Sequence, residues 1–178
     1  MVTETYPPEV NGVARTIGLM AEGLEKRGHS IQLVRPRQNG HDHAMDTPTF
    51  VEVLRPGIPI PRYTQLKMGM PSGRMLERAW REQRPDIVHI ATEGPLGWSA
   101  LSAARRLEIP VATDFHTNFH TYMRDYGMAW LARPVAAFLR SCGSASGAAA
   151  SSHCARNTWV CSPHAQASAA KSAAASPQ

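Results

Sequence analysis

Two histidines four residues apart, His116 and His120, follow an apolar segment with the character of a buried strand. At this spacing the two rings could lie on one face of a helix. The zinc site of a metalloprotease needs a glutamate directly after the first histidine, but Thr117 occupies that position, so we expect no hydrolytic zinc site. The pattern favours a histidine that donates to a sugar hydroxyl or a phosphate. The alternative is a histidine bonded to backbone in a buried turn.

A turn near the beginning of the chain, Asn11-Gly12, could hold a phosphate. Glycine lets the backbone approach a ligand closely, and the helix predicted after it offers unpaired N–H groups and a positive dipole end. The sequence has one glycine here where a dinucleotide fingerprint has three, and it has no Walker A motif. On spacing alone, a plain turn is the alternative.

Glu93 lies in the connection between a predicted strand and a predicted helix. Its carboxylate could accept hydrogen bonds from the hydroxyls of a polar substrate. It could equally serve only as a charge near a helix N-terminus, which is favourable by about 0.3–1 kcal/mol. His89 falls inside the strand pattern, so we interpret it as a core histidine with its hydrogen bonds satisfied.

A basic stretch runs from Arg55 to Arg84, with seven cations and two acids. Arg74, Arg78 and Arg81 are predicted to share one face of a helix that Ser72 could cap. Such a face could rest on anionic lipid, although a solvated surface is the alternative. Nucleic acid is not expected as a partner, because aromatic residues are not interleaved with the cations as stacking platforms.

The elements that would position these residues alternate between strand and helix. Predicted strands lie at 1–4, 31–34, 50–54, 86–91 and 109–115, and predicted helices at 13–27, 73–83, 95–107, 118–126 and 128–139. This alternation indicates an α/β fold with a parallel sheet flanked by helices. Ligands of such sheets bind at the carboxyl ends of the strands, where all the candidate groups except the basic helix fall. Two segments are predicted to be loops: 56–71, and 36–48 with His41-Asp42-His43 as surface polar residues.

The composition changes near residue 140. Residues 141–178 contain no acid and no Leu, Ile, Met or Phe, and Ala and Ser make up 21 of these 38 residues. We therefore predict one domain over 1–140 and a disordered or loosely helical tail. All three Cys lie in the tail, and neither a disulfide scaffold nor a zinc site fits their number and spacing. A frameshift in a G+C-rich gene would produce this composition, and we hypothesise one.

Three segments together resemble one family: residues 3–14 (TETYPPEVNGVA), 92–97 (TEGPLG) and 115–120 (FHTNFH). They are similar to the N-terminal half of retaining glycosyltransferases of family 4, which have the two-domain GT-B architecture. The type is that of bacterial α-mannosyltransferases and sulfolipid-synthase-like proteins. The resemblance covers about residues 1–140 and implies a Rossmann-like domain.

The resemblance also implies roles for individual residues. The turn of Asn11 and Gly12 would contact the donor diphosphate, and His116 would be the catalytic residue beside the transferred sugar. The acceptor side would be lined by Glu93, Asn118 and His120. The implied reaction moves a hexose, with mannose from GDP-mannose as the candidate, to a lipid or glycan hydroxyl with retention. It needs no metal or other cofactor, and the enzyme would be cytoplasmic or peripheral at the inner face of the membrane.

The sequence departs from this family by lacking the nucleotide-sugar domain, so we expect the truncated chain to be inactive alone. A non-enzymatic module that binds carbohydrate or a lipid head group is the alternative. A dehydrogenase is disfavoured by the absent glycine fingerprint, and an integral membrane protein by the lack of any apolar run of about 18 residues. A net charge of +5 permits anionic partners and identifies none.

Overall fold

The computed structural model of the protein describes residues 1–60, 63–92, 94–114 and 158–161. The helices are α1 (Gly12–Glu25), α2 (Gly73–Glu82) and α3 (Pro95–Arg106). The strands are β1 (Ile31–Pro36), β2 (Phe50–Arg55), β3 (Gly57–Ile60), β4 (Tyr63–Gly69), β5 (Val88–Ile90), β6 (Val111–Asp114) and β7 (Thr158–Cys161).

The N-terminal segment, residues 1–3, is the centre of the main sheet. Val2 forms parallel bridges to Val34 of β1 on one side and to Ile90 of β5 on the other. The N–H of Val2 donates to the carbonyl of His89 at 2.7 Å, and that of Thr3 to the carbonyl of Val34 at 3.0 Å. With β1 parallel to β2 and β5 parallel to β6, the order is β2, β1, N-terminal segment, β5, β6. In chain order this is 3-2-1-4-5, the arrangement of doubly wound nucleotide-binding folds, and it confirms the Rossmann-like α/β prediction.

Helices cover both faces of this sheet because alternate residues of β1 point to opposite sides. Leu33 packs in a cluster with Ala21 of α1. Its neighbour Val34 packs in a second cluster that contains Leu76 of α2 and Leu96 of α3. A strand buried on both faces reads as a continuous apolar run. This explains why the short apolar segments of the sequence located the strands well.

The hairpin of β3 and β4 corrects the predicted loop at 56–71. The two strands are antiparallel, and Gly57 pairs with Gly69. Counting Pro and Gly predicted a loop, but a two-stranded ribbon has open edges at which a Pro without an N–H is tolerated. Pro59 occupies such a position, flanked by the β-branched residues Ile58 and Ile60, which favour a strand.

A short strand also differs from the prediction for the tail. Thr158–Cys161 forms β7, which runs antiparallel to β6 with Val111 opposite Cys161. A composition averaged over the tail conceals this run of Thr, Trp and Val, which are residue types that favour strands. The predicted helices at 118–126 and 128–139 lie outside the described residues, and the domain boundary at 140 stays a prediction. None of the helices in the described ranges is long and apolar enough to cross a membrane.

Candidate functional site

The topology opens a crevice between the N-terminal segment and β5. These two strands are neighbours, but the helices that follow them pack on opposite faces: α1 joins one apolar cluster and α3 the other. Such a divergence is the topological switch point at which α/β sheets bind ligands. The described groups at this point are Glu4, the turn from Thr5 to Gly12, and Thr92 and Gly94 between β5 and α3.

The Asn11–Gly12 turn lies at the crevice. Asn11 is the N-cap of α1: its Oδ1 accepts from the N–H of Ala14 at 2.7 Å, and its Nδ2 donates to Thr5 Oγ1 at 2.7 Å. Gly12 is exposed, and a Cβ built on it would meet no atom within 4 Å. The N–H groups of Gly12 and Val13 have no acceptor among the described residues. The side chain of Asn11 therefore fixes the turn, and the backbone after it is free to meet an anion.

Glu9 stabilises the same turn. Its carboxylate accepts from the hydroxyl of Thr5, and from Asn11 Nδ2 at 3.4 Å. Burial raises the pKa of Glu9, while its neighbours Thr5, Gln38 and Asn11 lower it to a smaller extent. Glu9 Oε1 and Gln38 Nε2 are nevertheless buried with no hydrogen-bond partner in the described part of the chain. Since Gln38 is among the neighbours that lower the pKa of Glu9, the amide and the carboxylate are close together and support the turn.

Glu4 is a buried carboxylate that the motifs in the sequence did not single out. Its Oε1 accepts from the N–H of Leu96 at 3.0 Å, and its Oε2 accepts from the N–H of Gly69. Burial raises the pKa of Glu4 to about 7, against the opposing effect of the backbone N–H groups of Gly69, Leu96 and Gly97. An acid at the carboxyl end of a buried strand, as in Thr3-Glu4-Thr5, is the signal that could have identified it.

A buried ion-pair group supports the loop after β1. Arg35 Nη1 and Nη2 donate to the two carboxylate oxygens of Asp42 at 2.7 and 2.9 Å, and Nη2 also donates to Glu52 at 3.0 Å. Asp42 was interpreted as a surface residue, but its side chain is only 8% exposed. The interpretation was wrong because Arg35 occupies a buried strand and requires a counter-charge. The Arg35 guanidinium holds the pKa of Asp42 below its ordinary value.

His89 lies in the interior as its strand position predicted, but, contrary to expectation, its hydrogen bonds are not all satisfied by the described residues. Its Nε2 lies 2.7 Å from Asp114 Oδ2 on the neighbouring strand, and its Nδ1 is buried without a partner in the described ranges. Asp114 ends β6 at the same edge of the sheet as Thr92, which follows β5. In the chain, the predicted site residues Glu93 and His116 therefore come shortly after the strands that end at this edge.

Four predicted site residues, Glu93, His116, Asn118 and His120, lie outside the described residues. Their roles stay predictions that rest on the resemblance and on the chain positions next to β5 and β6. In the part of the chain that the structure describes, no three His, Cys, Asp or Glu side chains come together as metal ligands.

The basic face of α2 is partly neutralised. Arg78 pairs with Glu82 at 3.1 Å and Arg81 with Glu77 at 3.6 Å, whereas Arg74 makes no ion pair with the described residues. The three arginines are exposed as predicted, with Leu76 and Trp80 buried on the other side. Ser72 is the N-cap residue of the helix as expected, but its side chain makes no capping bond, because its hydroxyl donates to the carbonyl of Met70 and accepts from Arg55 Nε, each at 2.9 Å.

Comparison with known proteins supports the resemblance. The model of Glycosyltransferase Family 4 matches residues 10–167. GDP-mannose-dependent alpha-mannosyltransferases of Mycobacterium tuberculosis and Mycolicibacterium smegmatis are 36% and 32% identical over 142 residues, which is 79% of this chain. The alpha-monoglucosyldiacylglycerol synthase of Streptococcus pneumoniae is 29% identical over 136 residues, 75% of this chain and 30% of that protein.

The chain spans 37% and 38% of the length of the two mannosyltransferases that it matches. No solved structure matches it. The family model covers most of the chain. The chain therefore belongs to glycosyltransferase family 4.

Proposed function

We propose that this chain forms the acceptor-side half of a retaining glycosyltransferase that moves a hexose from a nucleotide sugar to a hydroxyl acceptor. The observation that carries the proposal is the strand order, which puts the N-terminus of α1, with its free N–H groups, and the end of β5 at the same switch point. Mannose from GDP-mannose is the proposed donor, because two of the relatives are named for it.

The proposed chemistry needs positioning and charge stabilisation. The acceptor oxygen attacks the anomeric carbon as the bond from that carbon to the phosphate oxygen breaks, and the acceptor proton passes to the leaving diphosphate. The free N–H groups at Gly12 and Val13 support a role in stabilising the negative charge of that diphosphate. His116 is proposed to act beside the transferred sugar, and Glu93, Asn118 and His120 to bind the acceptor.

The activity of the chain alone is a separate part of the proposal. Relatives named as mannosyltransferases are more than twice as long as the segment matched here. We infer that the donor-binding half must be supplied for turnover. The test mixes the purified chain with the remaining C-terminal part of the M. tuberculosis relative and measures GDP release from GDP-mannose. Release that requires both halves and an acceptor supports the proposal; no release in any combination, with both halves folded, contradicts it.

A pair of glycine variants tests the phosphate-binding turn in that mixture. Gly12→Val places a side chain where nothing lies within 4 Å, so the fold should tolerate it while the approach of a diphosphate is blocked. Gly40→Val is the matched control, because a side chain at Gly40 also meets nothing within 4 Å. We expect a higher KM for the nucleotide sugar in the Gly12 variant alone. Equal values in both variants would remove the turn from the donor site.

Peripheral membrane binding at the inner face of the cytoplasmic membrane is the proposed location, with α2 as the contact. The exposed arginines support it, as does the glucosyldiacylglycerol synthase relative, whose product name is that of a lipid. Each cation near an anionic surface contributes about 1 kcal/mol. Binding to phosphatidylglycerol vesicles should weaken with salt and when Arg74, Arg78 and Arg81 become Gln. Vesicle or sugar binding without any transfer in the mixture would favour the non-enzymatic binding module.

A further inference from the structure

Glu4 is a buried acid whose carboxylate, in the part of the chain that the structure describes, accepts hydrogen bonds only from backbone N–H groups. Its exposed fraction is 7%, and no basic side chain among the described residues pairs with it. A buried carboxylate without a counter-ion carries a large desolvation cost, and an apolar side chain would fill the same space without that cost. What the carboxylate adds is a set of directional bonds.

Glu4 holds both ends of one connection, through its backbone N–H at one end and its carboxylate at the other. At the end of β5, Thr92 Oγ1 accepts from the N–H of Glu4 at 2.7 Å. At the beginning of α3, the carboxylate of Glu4 accepts from the N–H of Leu96 at 3.0 Å. The N–H of Gly97 also stabilises the carboxylate and so lowers its pKa. Between these points, a Cβ added to Gly94 would overlap Glu4 Oε1. Gly94 and the beginning of α3 are therefore fitted around the Glu4 side chain.

The third contact ties the hairpin to the same carboxylate. The N–H of Gly69, at the end of β4, donates to Glu4 Oε2, and a Cβ added to Gly69 would lie 2.8 Å from that oxygen and 2.9 Å from Leu96. Glu4 thus joins the central strand, the hairpin and the N-terminus of α3 at the switch point. The positive end of α3 favours a negative charge there.

We propose that Glu4 is a positioning residue for glycosyl transfer: at the crevice it holds Thr92 and the beginning of α3, the described parts of the chain before and after the candidate acceptor ligand Glu93. The reference to transfer rests on the proposed function, whereas the contacts of Glu4 do not. Glu4 acts on the substrate through this connection and not by touching the reacting atoms.

Amide hydrogen exchange on the full chain tests the contacts independently of activity. Glu4→Gln keeps the size of the side chain but places an NH₂ group opposite the N–H of either Leu96 or Gly69. We expect one of these two amides to exchange about tenfold faster or more, as for a lost hydrogen bond to a charged acceptor. Glu22→Gln is the matched control, since it removes the same charge from the exposed surface of α1.

Two results would overturn the proposal. One is equal exchange of the Leu96 and Gly69 amides in the two variants. The other is an acceleration in Glu4→Gln that is shared by amides at the amino edge of the sheet, such as that of Ile31, which donates to Thr49, because it would indicate general destabilisation. If Glu4→Gln does not fold, the wild-type amide shifts of Leu96 and Gly69 decide: they should titrate with one common midpoint, near pH 7. Separate midpoints, or none, would overturn the assignment.

The reconstituted enzyme gives the functional readout. Glu4→Gln should raise KM for the acceptor by about tenfold while leaving KM for the nucleotide sugar within about twofold, because only the acceptor side is displaced. An effect confined to the donor would contradict the proposal. If the wild-type halves give no transfer at all, the proposed function fails, and the exchange experiment still decides whether Glu4 holds the connection.

Discussion

The two edges of the sheet differ in how they use polar groups. At the carboxyl edge, Glu4 and Asn11 are committed to hydrogen bonds that fix the backbone around the crevice. At the amino edge, a groove of about 660 Å³ lies between the beginnings of β1 and β5, with Trp80, Ile87 and Gln32 in its lining. The polar groups of the carboxyl edge are therefore tied to the backbone, whereas the groove is an open space.

The direction of the helices explains why the carboxyl edge is the better candidate site. In a parallel α/β sheet each helix begins at the carboxyl edge, so free N–H groups and positive dipole ends collect there. The helices end towards the amino edge: Gly28, after α1, and Gln83, after α2, line the groove. A nucleotide sugar carries a diphosphate, and that charge is favoured at the first edge only. Cavity size and chemical suitability are therefore separate properties in this fold.

The largest effect is expected from packing at the carboxyl edge. Ala in place of Gly97 would put a Cβ onto the carbonyl oxygen of Thr92 and 3.0 Å from the side chain of Ile90. We expect the free energy of unfolding to fall by about 3 kcal/mol, although Ala is the better helix former. Urea denaturation measures this. Gly12→Ala is the control at the same edge and should change it by less than about 0.5 kcal/mol. Similar losses in the two variants would contradict the difference between a closely packed position at Gly97 and an open one at Gly12.

The buried ion pair beneath the crevice should give the next largest effect. Asp42→Asn leaves Arg35 with less counter-charge, and we expect a loss of about 2 kcal/mol near neutral pH. Because Arg35 lowers the pKa of Asp42, its stabilisation is complete above the ordinary value of 3.8 and is lost as the pH falls through the lower folded value. The difference in unfolding free energy between wild type and variant should therefore stay constant from about pH 7 to 5 and shrink in stronger acid.

The matching control is Asp46→Asn, since Asp46 is an exposed residue of the same loop. It should cause little change at any pH. A gap between wild type and Asp42→Asn that widened in acid would contradict the assigned direction of the pKa shift.

The sequence predicted the sheet well because its strands are apolar runs buried on both faces. Periodicity located β1 and α1 within a few residues of their observed bounds. It failed at β3 and β4, where pairing between two partly exposed strands stabilises a segment rich in Pro and Gly. A pattern within one segment does not contain information about a partner strand.

The site was predictable only in part, for a related reason. The turn at Asn11 and Gly12 can be recognised from its own residue types. Glu4 and Asp42 are defined by partners distant in the chain or hidden in the sheet: Gly69 lies 65 residues from Glu4 and Leu96 lies 92 residues away. Burial of an acid depends on the tertiary fold, so composition suggested a solvated position for Asp42 and nothing specific for Glu4.

A smaller effect is expected at the wall of the amino-edge groove. Trp80 is 3% exposed, and its Nε1 donates to Gln32 Oε1 at 3.0 Å. Gln32→Leu would leave the indole N–H without this acceptor, so we expect a loss of about 1–2 kcal/mol in the free energy of unfolding. Gln83→Leu, at an exposed residue of the same groove, is the control and should be nearly neutral. An unchanged stability in Gln32→Leu would show that the indole N–H finds water, and that this wall of the groove is open.

The smallest effect is expected from Ile87→Ser inside the groove. The residue is 48% exposed, so the substitution removes little buried apolar area and should change the free energy of unfolding by less than about 0.5 kcal/mol. Since the groove faces away from the strand ends where the diphosphate is favoured, sugar transfer in the reconstituted enzyme should be unchanged as well. The informative result is the opposite one. Ile87 precedes β5, and the crevice lies beyond the other end of that strand. A loss of transfer at unchanged stability would therefore place the substrate at the amino edge and reverse the contrast between the two edges.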